Sequence, residues 1–225
     1  MIKLSFFTLL FACSLFLLNA QDVVFSDFNK IEISGKMMVT FEHGNMPGFS
    51  IEETNSKEDY LVSESENTLK IGLSPKGRGN NDLKHIKIYY ADLSDIILMN
   101  EASGSFNDSL QTLNLHVRLQ RNSTLKLKAM VKETMTAEVL DKSSLNVMGR
   151  GNKLVLDVKN QSRAGLQDFK TDEAIVNTEN NGRAEVFATD KIKATTSNGG
   201  TISYLGSPAE AIENKTISGG NIVKL

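Results

Sequence analysis

The chain has 225 residues, 40% of them hydrophobic, with 25 basic and 27 acidic side chains and a formal net charge of −2 at pH 7. That balance leaves no basic footprint for nucleic acid or for an anionic membrane surface. A single cysteine excludes a disulfide framework and a cysteine-built zinc site.

The N-terminus opens with Lys3 and an apolar run to Leu18, followed by Asn19, Ala20 and Gln21. A charged start, a short apolar stretch and a small residue before a polar one have the form of a secretory signal peptide over residues 1–20, with cleavage expected after Ala20. The run falls short of the roughly 20 residues that span a bilayer; an uncleaved anchor is the alternative. Cys13 follows Leu10, Phe11 and Ala12 in a loose lipobox-like order. Bulky Phe11 and the continuing apolar run argue against lipidation there. No second run approaches spanning length, so no integral membrane span is expected after cleavage. The expectation is an exported protein, in the periplasm, on the outer membrane surface or outside the cell, with residues 21–225 as a single all-β domain.

Beyond Phe28, the residues Ile31, Ile33, Gly35, Met37, Val39 and Phe41 alternate with polar neighbours, up to a turn at His43–Gly48. Phe49 and Ile51, then Tyr60 to Val62, give short strands. Leu69, Ile71 and Leu73 alternate before the loop Ser74–Asn81, and Ile86, Ile88 and Tyr90 resume the pattern. Period two places alternate side chains on opposite faces of a strand. Helical periodicity appears nowhere. Residues 21–92 are expected to pair with the first unit of the C-terminal repeat and to cover its end.

From residue 93 the alternation becomes a repeat. Anchors at Phe106, Leu125, Leu145, Ala164, Ala184, Ile202 and Ile222 are spaced by 19, 20, 19, 20, 18 and 20 residues. Two before each stands Gly104, Ser123, Ser143, Ser162, Gly182, Gly200 or Gly220, a column suited to a corner, where Gly tolerates positive φ and Ser bonds its own backbone. Ten before stand Ile96, Leu115, Met135, Leu154, Ala174, Ile192 and Ile212; eight before, Leu98, Val117, Ala137, Leu156, Val176, Ala194 and Asn214. The column six before, Asn100, Leu119, Val139, Val158, Thr178, Thr196 and Thr216, turns polar toward the C-terminus and predicts a thinner or partly hydrated core there. A unit this short cannot bury its apolar face alone and must stack. The pattern predicts a right-handed β-helix-like solenoid of about seven coils of 18–20 residues over 93–225. A hairpin sandwich is the rival; equal unit lengths favour stacked coils. The last coil, ending at Leu225, is expected to present a free edge, and self-association into a homo-oligomer through it is the hypothesis it raises.

Candidate chemistry is sparse. His43, His85 and His116 lack metal-ligand spacing and read as surface histidines. No nucleophile elbow, phosphate loop or dinucleotide fingerprint is present, and no catalytic, cofactor or metal residue is assigned. Outward carboxylates Asp108, Glu138, Asp157 and Glu185 are the candidates for glycan-active chemistry. Only Glu138 and Asp157 share a column, together with Met99, Arg118, Asn177, Thr195 and Glu213, so an Arg118–Glu138 charge ladder is the simpler reading. Tyr89 is the outward aromatic, whereas Tyr90 belongs with Ile86 and Ile88. Asn122-Ser123-Thr124 has the glycosylation pattern but reads as a turn.

Three segments resemble one family. Phe28-x-x-Ile31-x-Ile33-x-Gly35, then Leu93-x-x-Ile96 with Ala102-Ser103-Gly104-Ser105, then Gly199-Gly200-Thr201-Ile202-x-Tyr204-x-Gly206-x-Pro208 resemble, in order, segments of the putative auto-transporter adhesin, head GIN domain family. The likeness extends over residues 25–223. It departs in the middle coils, where Asn122-Ser123-Thr124 and Lys142-Ser143-Ser144 stand in place of Gly-Ser-Gly. The resemblance implies a secreted all-β protein of the bacterial envelope, typical of Bacteroidetes-like organisms, and transfers no binding residues. Its auto-transporter part is not expected to apply, since no barrel is read after Leu225. The functional expectation is an exported non-enzymatic binding module, an adhesin. Its unknown partner is expected to be an envelope protein or a glycan. A periplasmic structural or stress-linked module and a polysaccharide-active enzyme are the alternatives.

Overall fold

A computed structural model describes residues 23–24, 27–51, 56–79, 83–211 and 215–225. The expected signal peptide and Cys13 lie outside the described residues, as do Ile212, Glu213 and Asn214. Nine strands come first: β1 (Val23–Val24), β2 (Lys30–Ser34), β3 (Met37–His43), β4 (Gly48–Ile51), β5 (Tyr60–Ser65), β6 (Thr68–Leu73), β7 (Lys84–Tyr90), β8 (Asp95–Met99) and β9 (Ser103–Thr112). The repeat then supplies β10 (Leu115–Gln120) and four long strands, β11 (Thr124–Val139), β12 (Ser144–Lys159), β13 (Arg163–Glu179) and β14 (Arg183–Ser197). Short strands β15 (Thr201–Leu205), β16 (Glu210–Ala211), β17 (Lys215–Ile217) and β18 (Asn221–Lys224) complete the sheet.

The repeat strands are a parallel stack. Leu125, Leu145, Ala164, Ala184, Ile202 and Ile222 stand opposite one another in sequence, as do Ala137, Leu156, Val176 and Ala194. All but the peripheral Ile222 among them are buried. The fold is a β-solenoid of about six turns rather than seven. The final expected unit is built from the short β16, β17 and β18, and Ile192 pairs with Ala211 where Ile212 was expected. The first unit is also out of step. Gly104, not Phe106, lies opposite Leu125, and Ile96 pairs with Val117, Leu98 with Leu119. A two-residue slip keeps every side chain on its own face, so alternation alone could not detect it. The displaced residues sit in an irregularity where Lys126 faces Ser105 and Lys128 faces Ser109. There Phe106 stacks on Phe41, with ring centroids 4.5 Å apart.

The corners differ from the expected form. Positive φ falls on two consecutive residues just before the Gly/Ser column, as at Asn160 and Gln161 (57° and 62°) or Asn180 and Asn181 (52° and 61°). Asn is the non-glycine residue that best tolerates this region. The column itself is small because space is short: a Cβ on Gly182 would meet the Val158 carbonyl oxygen, and one on Gly200 would lie 2.6 Å from the Thr178 and Thr196 hydroxyls. Where Ser occupies the column it is buried and useful. Ser123 Oγ donates to the Gln120 carbonyl at 2.9 Å, while the N–H groups of Ser123 and Ser143 donate to the hydroxyls of Ser143 and Ser162. Outside the corner an amide ladder runs coil to coil: Asn160 donates to Asp141, Asn180 to Asn160 and Asn198 to Asn180, at 2.8, 3.1 and 3.2 Å. In the polar inward column, Thr178 and Thr196 are buried and joined hydroxyl to hydroxyl at 2.8 Å. For this pair the polarity is met within the stack.

The N-terminal strands are coils of the same stack. β2 lies between β6 and β8, with Ile31 opposite Leu69 on one side and Ile96 on the other; β3 lies between β7 and β9 in the same way. The outermost coil is thus β6–β7, although β2–β3 precedes it in the chain. Antiparallel β5 pairs with β6, β4 with β7 and β1 with β4, covering that edge. A short 3-10 turn at Lys57–Asp59 is tied to β7 by a buried ion pair, Lys84 Nζ to Asp59 Oδ2 at 2.7 Å. The hydrogen bond from Lys84 holds the Asp59 carboxyl below its ordinary range.

Candidate binding surface

Because the coils are in register, outward side chains fall into rows, with neighbours in a row about 4.8 Å apart. One row runs from Glu32 through Ile97, Arg118, Glu138, Asp157 and Asn177 to Thr195. Arg118, Glu138 and Asp157 stand together as the spacing predicts, and Arg118 Nε lies 3.5 Å from Glu138 Oε2. Ile97 takes the place expected for Met99, because of the slip in the first coil, and Thr195 faces Lys215. Further cross-coil pairs, Lys70–Glu32 at 3.0 Å and Lys153–Glu173 at 3.3 Å, repeat the motif. Exposed pairs of this kind contribute at most about 1 kcal/mol each. The other two outward carboxylates are elsewhere: Glu185 lies between Gly165 and Ser203, and Asp108 sits in the irregular part of β9.

The histidines do not converge. His116 Nδ1 lies 3.0 Å from Asp95 Oδ1, a partner that only coil register could reveal. His85 is on β7 opposite Met38, and the His43 ring packs edge-on against Tyr90 at 5.8 Å. Among the described residues no group of three His, Cys, Asp or Glu side chains is placed to hold a metal ion. Tyr89 faces outward, with Lys87 Nζ 5.9 Å from its ring centroid. Lys87 in turn bonds Glu42, which raises the ammonium's pKa.

The irregularity in β9 opens a feature that the sequence did not indicate. Beside it lies a cleft of about 600 Å³ lined by His43, Tyr90, Asp92, Asp108, Ser109 and Gln111, among others. Tyr90 is only 1% exposed, and its hydroxyl has no hydrogen-bond partner among the described residues. Burial, reinforced by the charge of Asp108, pushes its pKa up to about 12. An adjoining cleft of about 500 Å³ shares Asp92 and Gln111 and reaches Leu113 and Lys132; another, of about 350 Å³, shares Lys132 and reaches Met130 and Arg150. Shared lining residues join the three into one furrow. The alternation correctly places Tyr90 in the core, but the slip that creates the cleft is invisible to period two.

Stacked parallel coils with outward rows of polar side chains define a β-solenoid. The chain belongs to the family described as "Putative auto-transporter adhesin, head GIN domain", whose model matches residues 27–208. Among solved structures, a putative adhesin from Bacteroides fragilis NCTC 9343 is similar at 18% identity, over 91% of this chain and 95% of that one, with a TM-score of 0.82. A putative adhesin from Parabacteroides merdae ATCC 43184 matches at the same identity and coverage with a TM-score of 0.67, and a putative lipid binding protein from Parabacteroides distasonis ATCC 8503 with 0.64. Likeness at this identity is one of fold. No curated protein matches the chain. Among the described residues no helix is long and apolar enough to cross a membrane.

Proposed function

We propose that the protein is an exported, non-enzymatic β-solenoid of the bacterial cell envelope, an adhesin-type module that binds an envelope protein or a glycan through its outward surface. The observation that carries this is the row of Arg118, Glu138, Asp157 and Asn177, held in register on a continuous strand face. Such a row offers evenly spaced polar contacts along the stack, which suits a partner engaged over an extended surface. Glu138 is committed to Arg118 and lies outside the furrow. Membership of the adhesin family supports the same reading.

Protease treatment of intact cells carrying a tagged copy, with lysed cells as control, tests the location. Loss of the tag from intact cells is the expected result. Protection until lysis would overturn surface display and put a periplasmic envelope module in its place. Enzymatic action is tested separately on a polysaccharide panel: depolymerisation abolished by Glu138→Gln would refute the non-enzymatic reading.

A further inference from the structure

We propose that the cleft beside Tyr90 is a binding site for a neutral sugar, received as the end of a glycan chain that continues along the furrow toward Lys132. This rests on the reading of the protein as a binding module and names its ligand class. At about 600 Å³ the cleft is of the size that holds small molecules, roughly 300–1,000 Å³. Two carboxylates, Asp92 and Asp108, line it, and no Lys or Arg does. Within the cleft itself, phosphate, sulfate and uronate groups would meet two carboxylates with no Lys or Arg among the lining residues to offset them. The site therefore selects against acidic glycans and lipid headgroup phosphates.

The Tyr90 hydroxyl supplies the second constraint. Tyr90 lines the cleft, and its hydroxyl is buried with no partner among the described residues, a state that native structures rarely leave unanswered. Below its raised pKa it is a neutral O–H that donates, so it requires an acceptor on the ligand. Asp108, close enough for its charge to act on Tyr90 but not bonded to it, offers an acceptor at the mouth of the cleft. An ammonium ion can donate to the phenol oxygen and to Asp108, but it leaves the Tyr90 O–H proton without an acceptor. A sugar hydroxyl does both, accepting from Tyr90 while donating to Asp108. Ser109 and the Gln111 amide add groups that also donate and accept. Farther along the furrow, the exposed Leu113 offers an apolar contact for the C–H face of a following ring.

The test is titration of the full-length chain with neutral oligosaccharides of glucose, mannose and galactose, and with oligogalacturonate as the acidic counterpart. Binding is read at millimolar ligand by saturation-transfer NMR and calorimetry. At least one neutral oligomer is expected to bind, with about a tenfold loss of affinity in each of Asp108→Asn and Tyr90→Phe. Glu185→Gln, exposed between Gly165 and Ser203 and outside both the furrow and the outward row, should bind like the wild type, and oligogalacturonate should not bind. Asp108 is exposed, so its variant keeps the fold even if Tyr90→Phe perturbs packing. No binding by any neutral oligomer, binding indifferent to both variants, or equal binding of oligogalacturonate would each overturn the assignment and leave the cleft a seat for water only. That failure, combined with tag loss from shaved intact cells, would remove the sugar site and leave the binding-module reading standing. Protection of the tag until lysis would sink surface display whatever the sugars do.

Discussion

Leu156 lies at the middle of the stack, fully buried, between Ala137 and Val176 in its column. Leu156→Ala removes three carbons from the core, about 2.4 kcal/mol at roughly 0.8 per buried methylene. Ala137, as short as an alanine can be, has nothing to swing into the gap, and the flanking backbones are pinned by ladder hydrogen bonds on both sides. A cavity contribution therefore adds to the transfer loss, for a total of about 3–5 kcal/mol. Leu156→Asp should cost more, because a carboxylate would enter the same space without a partner. The control is Lys126→Asp at an exposed position between Ser105 and Asn146, expected within about 0.5 kcal/mol of wild type. Urea unfolding followed by far-UV circular dichroism gives the difference from midpoints at constant m-value. A loss below about 1 kcal/mol for Leu156→Ala, or comparable effects of aspartate at the two sites, would refute the inward and outward assignment.

Other features yield separate tests. Gly182→Val should destabilise by about 2 kcal/mol or more, since the first added carbon meets the Val158 carbonyl oxygen; a silent substitution in a thermal melt would contradict the close approach. Asn180→Ala removes the central rung of the amide ladder and a residue suited to positive φ, at an expected cost of about 1 kcal/mol by urea titration. Asp59 has a depressed pKa when folded, so its contribution is complete above the unfolded value of 3.8 and is lost as pH falls through the lower folded value. Acid melts should steepen below about pH 3.8, and Asp59→Asn should remove part of that slope. Tyr90 runs the opposite way: with its pKa raised from 10.0 to about 12, its contribution is intact below pH 10 and is lost as pH climbs through that interval. Tyr90→Phe should flatten the alkaline loss, and an unchanged profile would argue that the phenol is not buried in solution.

Periodicity accounts both for the features legible in the sequence and for those hidden from it. Ser123, Ser143 and Ser162 mark the corners because a larger side chain has no room there, and Leu125 through Ile222 mark the stack because each unit must bury the same face. Two-residue slips leave that face unchanged, so Phe106 passes for an anchor when it is part of a local excess, and the cleft beside Tyr90 goes unseen with it. The Asn180 ladder is equally hidden. Each asparagine looks like an ordinary turn residue until the coil length brings the next one within hydrogen-bond reach. His116 and Asp95 escape notice for a related reason, being 21 residues apart in the chain and adjacent only across the register.

The out-of-order arrangement at the N-terminal end bears on how the chain acquires its shape. β2 and β3 are synthesised before any of their neighbours, yet they are bounded by β6 and β7 on one side and by β8 and β9 on the other. That coil is flanked on both sides by strands made after it, so its interstrand hydrogen bonds wait for them. Its slot closes only when residues up to Thr112 are available, whereas β11 to β14 each add to an immediate predecessor. Closing this end of the stack therefore depends on contacts distant in sequence, the kind that form slowly, whereas the later coils close on near neighbours.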